Sequence, residues 1–280
     1  MSEGYLITNC SEDNLLQVEL LVKSIKYFDR ERPVSIVTHD AGLAEKLSYI
    51  DKEVVLTTDP EIVTANYFHS LLNSPYEKTI AFLPDQLLTN FNPEVWENLR
   101  GMNGIVLPKH RYNFNGEALA QSLYHHGSIE EKSFNDSTVL NAMFFNKSKG
   151  CDYVFGLAVV IASQYDQNDF IDFFGEIPDN AMPSLPEYLW PEWLMTLLSK
   201  ILSINVTKFD FVECIDLTTR ENSYNNENWA RRSWPEFLSY WVNQQGSIKI
   251  ENYVQLGLIK YTTNAWLTET TLANLRKKYT

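Results

Sequence analysis

The first hundred residues alternate short apolar runs with stretches of helical period. Tyr5–Thr8 (YLIT), led by Gly4, reads as a strand. Ser11 stands before Glu12 and Asp13, an N-cap followed by the acids that a helix N-terminus favours. Leu15, Val18, Val22, Ile25 and Phe28 then recur at helical spacing and predict a helix over Glu12–Phe28. Pro33 opens a second strand, VSIVT, ending at His39–Asp40. Leu43–Tyr49 is a short helix and Glu53–Thr58 a third strand. A fourth, Thr79–Leu83, halts at Pro84 and presents Asp85 before Leu87 and Leu88 resume the apolar pattern. Strands that are apolar on both faces, alternating with helices, predict a parallel sheet covered on each side with right-handed crossovers. Ligands bind such sheets beyond the carboxyl ends of the strands. Those ends are Thr8–Asn9, Thr38–His39–Asp40, Asp59 and Asp85, all polar.

Further apolar runs at Gly104–Leu107 and Ala142–Asn146 predict two more strands, and Asp152–Tyr165 a helix. The pattern then loosens. Asp166–Asp179 holds five acids and no Lys or Arg, the composition of a solvated loop. Leu189–Ser203 reads as an amphipathic helix carrying Trp190 and Trp193, and Asn205–Phe211 alternates like an edge strand.

Composition narrows the function. The chain has 280 residues and a net charge of −13, which argues against strong non-specific binding to nucleic acid or anionic membrane. Cys10, Cys151 and Cys214 are odd in number and scattered, as free thiols in a reducing compartment would be. The longest apolar run, Tyr153–Ala162, is ten residues, against the ~20 a bilayer span needs. The N-terminus has no basic region ahead of a long apolar core. The expectation is a cytoplasmic protein with no membrane insertion. Neither GxGxxG nor GxxxxGK[ST] occurs, and neither HExxH nor GxSxG.

Several segments together resemble a family. YLITN, a helix ending in KSIKYF, and PVSIVTHD look like the nucleotide-binding half of a GT-A glycosyltransferase. SPYEKTIAFLPDQLL resembles the strand that carries the D-x-D motif of that family, and VLNAMFFNKS (Val139–Ser148) is similar to its strand near the sugar and acceptor. The glycogenin-like branch is nearest in spacing. The resemblance implies an α/β fold: a mostly parallel, Rossmann-like mixed sheet flanked by helices. Residues 1–150 would form the nucleotide-sugar-binding region. Residues 151–280 would add a helical, aromatic-rich acceptor side completing the same domain.

It also implies a UDP-sugar or other nucleotide sugar as donor and a divalent cation, Mg²⁺ or Mn²⁺, on the diphosphate. Asp85 matches the second aspartate of the motif, while Leu83 stands where the first belongs. Taken alone, Pro84–Asp85 is equally a turn former. NYVQLGLIKYTTNAW resembles the C-terminal HxxGxxK segment of the family. Gly257 and Lys260 keep their spacing, but Val254 replaces the histidine that would be a metal ligand. Lys260 could still meet the diphosphate as a point charge; otherwise it is a surface lysine on a last strand.

Other roles follow from the same resemblance. Thr8 and Asn9 would face the nucleoside, and His39 and Asp40 the base or ribose. Lys78 would contact the donor or simply cap the surface. Asn141 would touch sugar or acceptor, or end a strand. Glu187 and Glu192 are candidates for an acid near the sugar, or acids at a helix N-terminus. Trp229, Arg231, Arg232 and Trp234 suit an acceptor groove, since aromatic faces stack on sugars and arginine pairs with phosphate; otherwise they pack a small lobe. Lys109–Tyr112 and Arg276–Tyr279 are further basic-aromatic clusters. The implied activity is hexosyl or pentosyl transfer to a glycan, a protein or modified DNA. The alternative is a non-catalytic nucleotide- or sugar-binding module on the same fold.

Overall fold

The computed structural model describes residues 2–101, 104–110, 142–147, 150–164, 194, 198, 207–216, 240–250, 253–254, 257–260 and 267–280. The chain opens with β1 (Glu3–Cys10), a 3₁₀ turn (Glu12–Asn14) and α1 (Leu15–Phe28). Next come β2 (Val34–Thr38), a 3₁₀ turn (Leu43–Lys46), β3 (Lys52–Val55) and α2 (Val63–Leu72). After them lie β4 (Lys78–Phe82), β5 (Gln86–Leu88), α3 (Val95–Arg100), β6 (Ile105–His110), β7 (Ala142–Asn146) and α4 (Cys151–Gln164). The C-terminal part adds β8 (Thr207–Asp216), β9 (Tyr240–Val242), β10 (Ile248–Ile250), β11 (Tyr253–Val254), β12 (Leu258–Lys260) and α5 (Glu269–Lys278).

Among the described residues nine strands make one sheet, in the order β3-β2-β1-β4-β7-β6-β8-β12-β5. β3, β2, β1 and β4 are parallel; β7 runs against β4 and β6, and β5 runs against β12. The sheet is thus α/β and mixed, as the resemblance implies, rather than wholly parallel. β8 is not the expected edge strand: it lies between β6 and β12. Among the described residues β9, β10 and β11 form a small antiparallel sheet beside the large one. The helix expected over Glu12–Phe28 begins as a 3₁₀ turn, because the Asn14 side chain caps the Ser11 N–H and tightens the entry.

Alternating side chains feed two cores. Tyr5, Ile7, Val34, Ile36, Ile80 and Phe82 face α1 through its buried Val18, Leu21, Val22 and Ile25, together with Trp96 of α3. Leu6, Val37, Ala81, Met143 and Phe145 face the other way, onto Phe68 and Leu71 of α2 and Phe155 and Ala158 of α4. A third core joins Leu20 on α1 to Leu87, Ile259, Val242, Ile248 and, from α5, Leu275 and the adjacent Tyr279. Gly4 is a close approach: a Cβ there would lie 2.5 Å from the Tyr76 ring, whose hydroxyl is 2.5 Å from Ser35 Oγ.

The link between β4 and β5 shapes the sheet. A flat sheet would separate these strands by five spacings of ~4.8 Å, roughly 24 Å. Four Cα steps, Phe82 to Gln86, reach at most ~14 Å. The sheet therefore curls, and its β12–β5 edge returns to the carboxyl end of β4.

At the amino end a buried polar network ties β1 to both flanking segments. The Tyr5 hydroxyl donates to Asp29 Oδ2 (2.6 Å) and accepts from Trp96 Nε1 (3.0 Å). Arg32 donates to the same Asp29 oxygen (2.8 Å), and its guanidinium lies 5.0 Å from the Trp96 ring centre. Replacing Tyr5 by Phe leaves the buried Trp96 N–H without its acceptor. Tyr5→Phe is expected to cost ~1–3 kcal/mol of stability in urea unfolding, without loss of fold.

Glu3 adds a pH-dependent clamp at this end. Hydrogen bonds from Arg100 (2.6 and 3.0 Å) hold its carboxyl below the usual range, against partial burial and with help from Arg32. A depressed folded-state value means the contribution is complete above the unfolded value of ~4.3 and is lost as pH falls through the folded one. The stability advantage of the unmodified chain over Glu3→Gln is expected to shrink on acidification from about pH 6 to pH 3, read from urea midpoints.

Candidate functional site

The carboxyl ends of β2, β1 and β4 lie side by side. Ile7 pairs with Phe82, Cys10 with Thr38, and the β1–β2 register shifts between Ile7 and Cys10. Asn9 sits in that irregularity with φ 52°, in the left-handed region that Asn tolerates better than most residues. Its carbonyl accepts from Asn14 Nδ2 (2.8 Å), and Asn14 Oδ1 accepts from the Ser11 N–H (2.9 Å). The loop is thereby locked with Asn9 half-buried at the strand end. Thr8 is wholly buried, and its hydroxyl donates to the Phe82 carbonyl (3.3 Å). It holds β1 to β4 rather than offering a group to a ligand.

Asp40 is exposed and caps the 3₁₀ turn: Oδ2 accepts from the Glu12 N–H (3.0 Å). Its own N–H donates to Thr38 Oγ1 (2.9 Å). His39 heads a polar chain that sequence reading missed. Its Nε2 lies 3.3 Å from Thr58 Oγ1, Thr58 donates to Asn66 Oδ1 (2.5 Å), and Asn66 Nδ2 donates to the Asp59 carbonyl (2.7 Å). Thr58 has one proton and gives it to Asn66, so the His39 Nε2–H is the donor and Nδ1 is left as an acceptor. Asn66 is buried within α2, one of four polar residues that break the apolar period of that helix.

Cys10 is buried beside these ends. Burial pushes its thiol well up, so it stays protonated and unreactive.

The turn after β4 is built by a second residue that sequence reading missed. Gln86 is fully buried, and its Oε1 accepts from the Leu83 N–H (2.9 Å). Leu83 packs against the α2–α4 core, so the position that the resemblance assigns to a first aspartate is here a packing residue. Asp85 is half-buried with Oδ1 shielded from solvent. Lys260 pairs with Gln86 across β12 and β5, which brings its backbone next to the turn. Gly257, at φ 93°, fixes this pairing: its carbonyl accepts from both the N–H (2.7 Å) and the hydroxyl (3.0 Å) of Thr89.

Lys78 is not brought to this edge. It begins β4 opposite Glu3, about 13 Å along the strand from Phe82. It is buried with its N–H on the Ser2 carbonyl. A donor-binding role at the carboxyl ends does not suit that position. Asn141, Glu187, Glu192, Trp229, Arg231, Arg232 and Trp234 lie outside the described residues. Ala142, the next residue after Asn141, pairs with Phe82, so β7 enters the sheet at the same edge.

No group of three or more His, Cys, Asp or Glu suited to a metal ion occurs among the described residues. At the turn the donor set is one carboxylate, Asp85. Mg²⁺ and Mn²⁺ want six oxygens, and one carboxylate does not make a protein cage for either. No helix among the described residues is long and apolar enough to cross a membrane.

The chain has the fold of a galactosyltransferase, LgtC, solved with donor and acceptor sugar analogues. The TM-score is 0.52 at 10% identity, over 98% of this chain and 95% of that one. An active-site mutant of LgtC gives a TM-score of 0.49 at 11% identity over 97% and 94%. The apo-form glycosyltransferase GlyE of Streptococcus pneumoniae TIGR4 gives 0.47 at 8% identity, over 94% of this chain and 55% of that one. No protein-family model matches the chain, and no curated protein does.

The polar chain from His39 has a spectroscopic signature. At about pH 8.5, ¹⁵N–¹H correlation is expected to show His39 as the Nε2–H tautomer. Thr58→Val is expected to remove that preference. An Nδ1–H tautomer in the unmodified chain would overturn the assignment.

Proposed function

We propose that the chain is a glycosyltransferase that moves a hexose or pentose from a nucleoside-diphosphate sugar to an acceptor hydroxyl. One observation carries the reading: the strand ends gather Asn9, His39, Asp40 and Asp85 along one edge, and the curl of the sheet returns Lys260 to that same edge. The fold it shares with LgtC supports the reading, because that protein binds donor and acceptor sugar analogues.

The nucleoside lies over Asn9 and the β2 end, where His39 Nδ1 and the amide of Asn9 offer hydrogen bonds. The diphosphate runs toward Asp85 and Lys260. As the sugar–phosphate bond breaks, negative charge grows on the departing nucleoside diphosphate. A cation there stabilises the transition state more than the ground state; Lys260 is the residue we assign to that role. A divalent ion, Mg²⁺ or Mn²⁺, would supply further charge stabilisation there, and Asp85 is the residue that would hold it. The donor is a UDP-sugar or another nucleotide sugar.

Residues 1–150 form the donor region and 151–280 the acceptor side. There Trp229 and Trp234 stack on the acceptor, Arg231 and Arg232 meet its anionic groups, and Glu187 or Glu192 stands near the sugar. The acceptor is a glycan, a protein or modified DNA, met in the cytoplasm.

A second reading, a non-catalytic nucleotide- or sugar-binding module, is favoured by Leu83 at the first position of the metal motif. Nucleoside diphosphate release from a panel of UDP- and GDP-sugars, with EDTA or with Mn²⁺, separates the two. Turnover of at least one donor is expected, and Asp85→Asn is expected to lower kcat/KM at least tenfold, about 1.4 kcal/mol of transition-state stabilisation. Retained nucleotide-sugar binding with no turnover of any donor would replace the enzyme by the binding module.

A further inference from the structure

The amino end of the sheet, opposite the strand ends described above, holds a cavity of about 350 Å³. The last turns of α1, residues 49–51 ahead of β3, and Tyr279 enclose it. Asp51 fixes the place: its N–H donates to the Val34 carbonyl (2.8 Å) and its Oδ2 accepts from the Val34 N–H (2.7 Å), at the very start of β2.

The lining is cationic and aromatic, on a chain whose net charge is −13. Its charged side chains are Lys23, Lys26, Arg30 and a single acid, Asp51, and Thr280 also lines the cavity. Two of these cations are already engaged. Lys23 is paired with Glu19 (2.7 Å), and Lys26 donates to the Arg32 carbonyl (2.8 Å) with Asp51 at 3.6 Å. Arg30 is exposed and makes no hydrogen bond or ion pair among the described residues. Its guanidinium is a ready fork for a carboxylate or phosphate.

Two exposed tyrosines, Tyr27 and Tyr49, line the same cavity. Tyr27 is 45% exposed and makes T-shaped contacts with Phe28 (5.0 Å, 88°) and Tyr279 (5.6 Å, 76°). Tyr279 is in turn anchored by its hydroxyl on the Leu88 carbonyl (2.6 Å). Tyr49 is 61% exposed, and its backbone is held at φ 67°, a region that bulky residues avoid.

We propose that this cavity is a second ligand site, for a small anionic saccharide. The face of one sugar ring lies on Tyr27 or Tyr49, its phosphate or carboxylate takes the Arg30 fork between Lys23 and Lys26, and a ring hydroxyl donates to Asp51. The size is at the small end of ligand pockets, about 300–1,000 Å³, and suits one or two rings rather than a polymer. Tyrosine offers both a flat apolar face for the C–H side of a sugar and a hydroxyl for its polar rim. Asp51 sets the charge: a single acid group is accepted, while a diphosphate would bring its second anionic group against that carboxylate. The site is therefore distinct in chemistry, as in place, from the strand-end site, and it does not depend on sugar transfer there.

The test is calorimetric titration of the full chain with glucose 6-phosphate, glucuronate, glucose and inorganic phosphate. Saturable binding of an anionic sugar is expected, with glucose and inorganic phosphate each at least tenfold weaker. Arg30→Glu is expected to weaken the anionic sugar at least tenfold and to leave nucleotide-sugar binding unchanged. Tyr49→Asn puts a residue that tolerates positive φ in the same place; it is expected to keep the thermal midpoint while weakening the sugar several-fold. Absence of saturable binding of both anionic sugars at about 10 mM would overturn the proposal. So would binding that survives Arg30→Glu, or inorganic phosphate binding as tightly as the sugar phosphate.

Discussion

Three residues, Leu83, Pro84 and Asp85, carry the chain from the middle of the sheet to its far edge, and the rest of the molecule accommodates that shortness. A hydrogen bond from the Leu83 N–H to the buried Gln86 amide holds the turn. Because the link cannot stretch, the strands beyond β7 must bend back until β12 lies beside β5. That bend makes room for the third core and gives the C-terminal helix a surface to dock on. The same bend brings a lysine that follows in sequence by more than a hundred residues back to the turn that carries Asp85. Site and fold are here one constraint.

Much of the central sheet could be read from the sequence because its signal is local. The strands at Tyr5, Val34, Thr79 and Ala142 are short apolar runs bounded by polar residues, and all four appear within a residue or two of their expected ends. α2 escaped notice: Thr64, Asn66, His69 and Ser70 interrupt its apolar period, and only tertiary contacts show that three of these are buried. β5 escaped for a different reason. Three residues carry too little pattern, and their partner lies far along the chain. The placement of β8 inside the sheet likewise depends on β12, which no window around Thr207 contains.

The candidate site divides along the same line. Asn9, His39, Asp40 and Asp85 were visible because polar residues at strand ends are conspicuous against apolar runs. Their state was not. That Thr8 is spent on a β1–β4 hydrogen bond, that Asp40 caps a turn, and that Leu83 belongs to a core are facts of packing. Lys78 shows the limit of naming by neighbourhood. It is five residues from Leu83 in sequence, yet strand geometry puts it at the opposite end of the sheet.

The anchoring of Tyr279 on Leu88 spans 191 residues. On the ribosome, β1 to β4 are complete early, but among the described residues β5 has no partner strand until β12 emerges, 170 residues after Leu88 (258 − 88). At ~5–20 residues per second that is an interval of roughly 10 to 30 s. During it the Leu87–Leu88 edge lies open, an unpaired apolar strand of the kind that invites pairing with another chain. Until β12 arrives, Leu87 and Leu88 have α1 to rest on, through Leu20 and the Ser24 hydroxyl, while the strand edge of β5 waits for its partner.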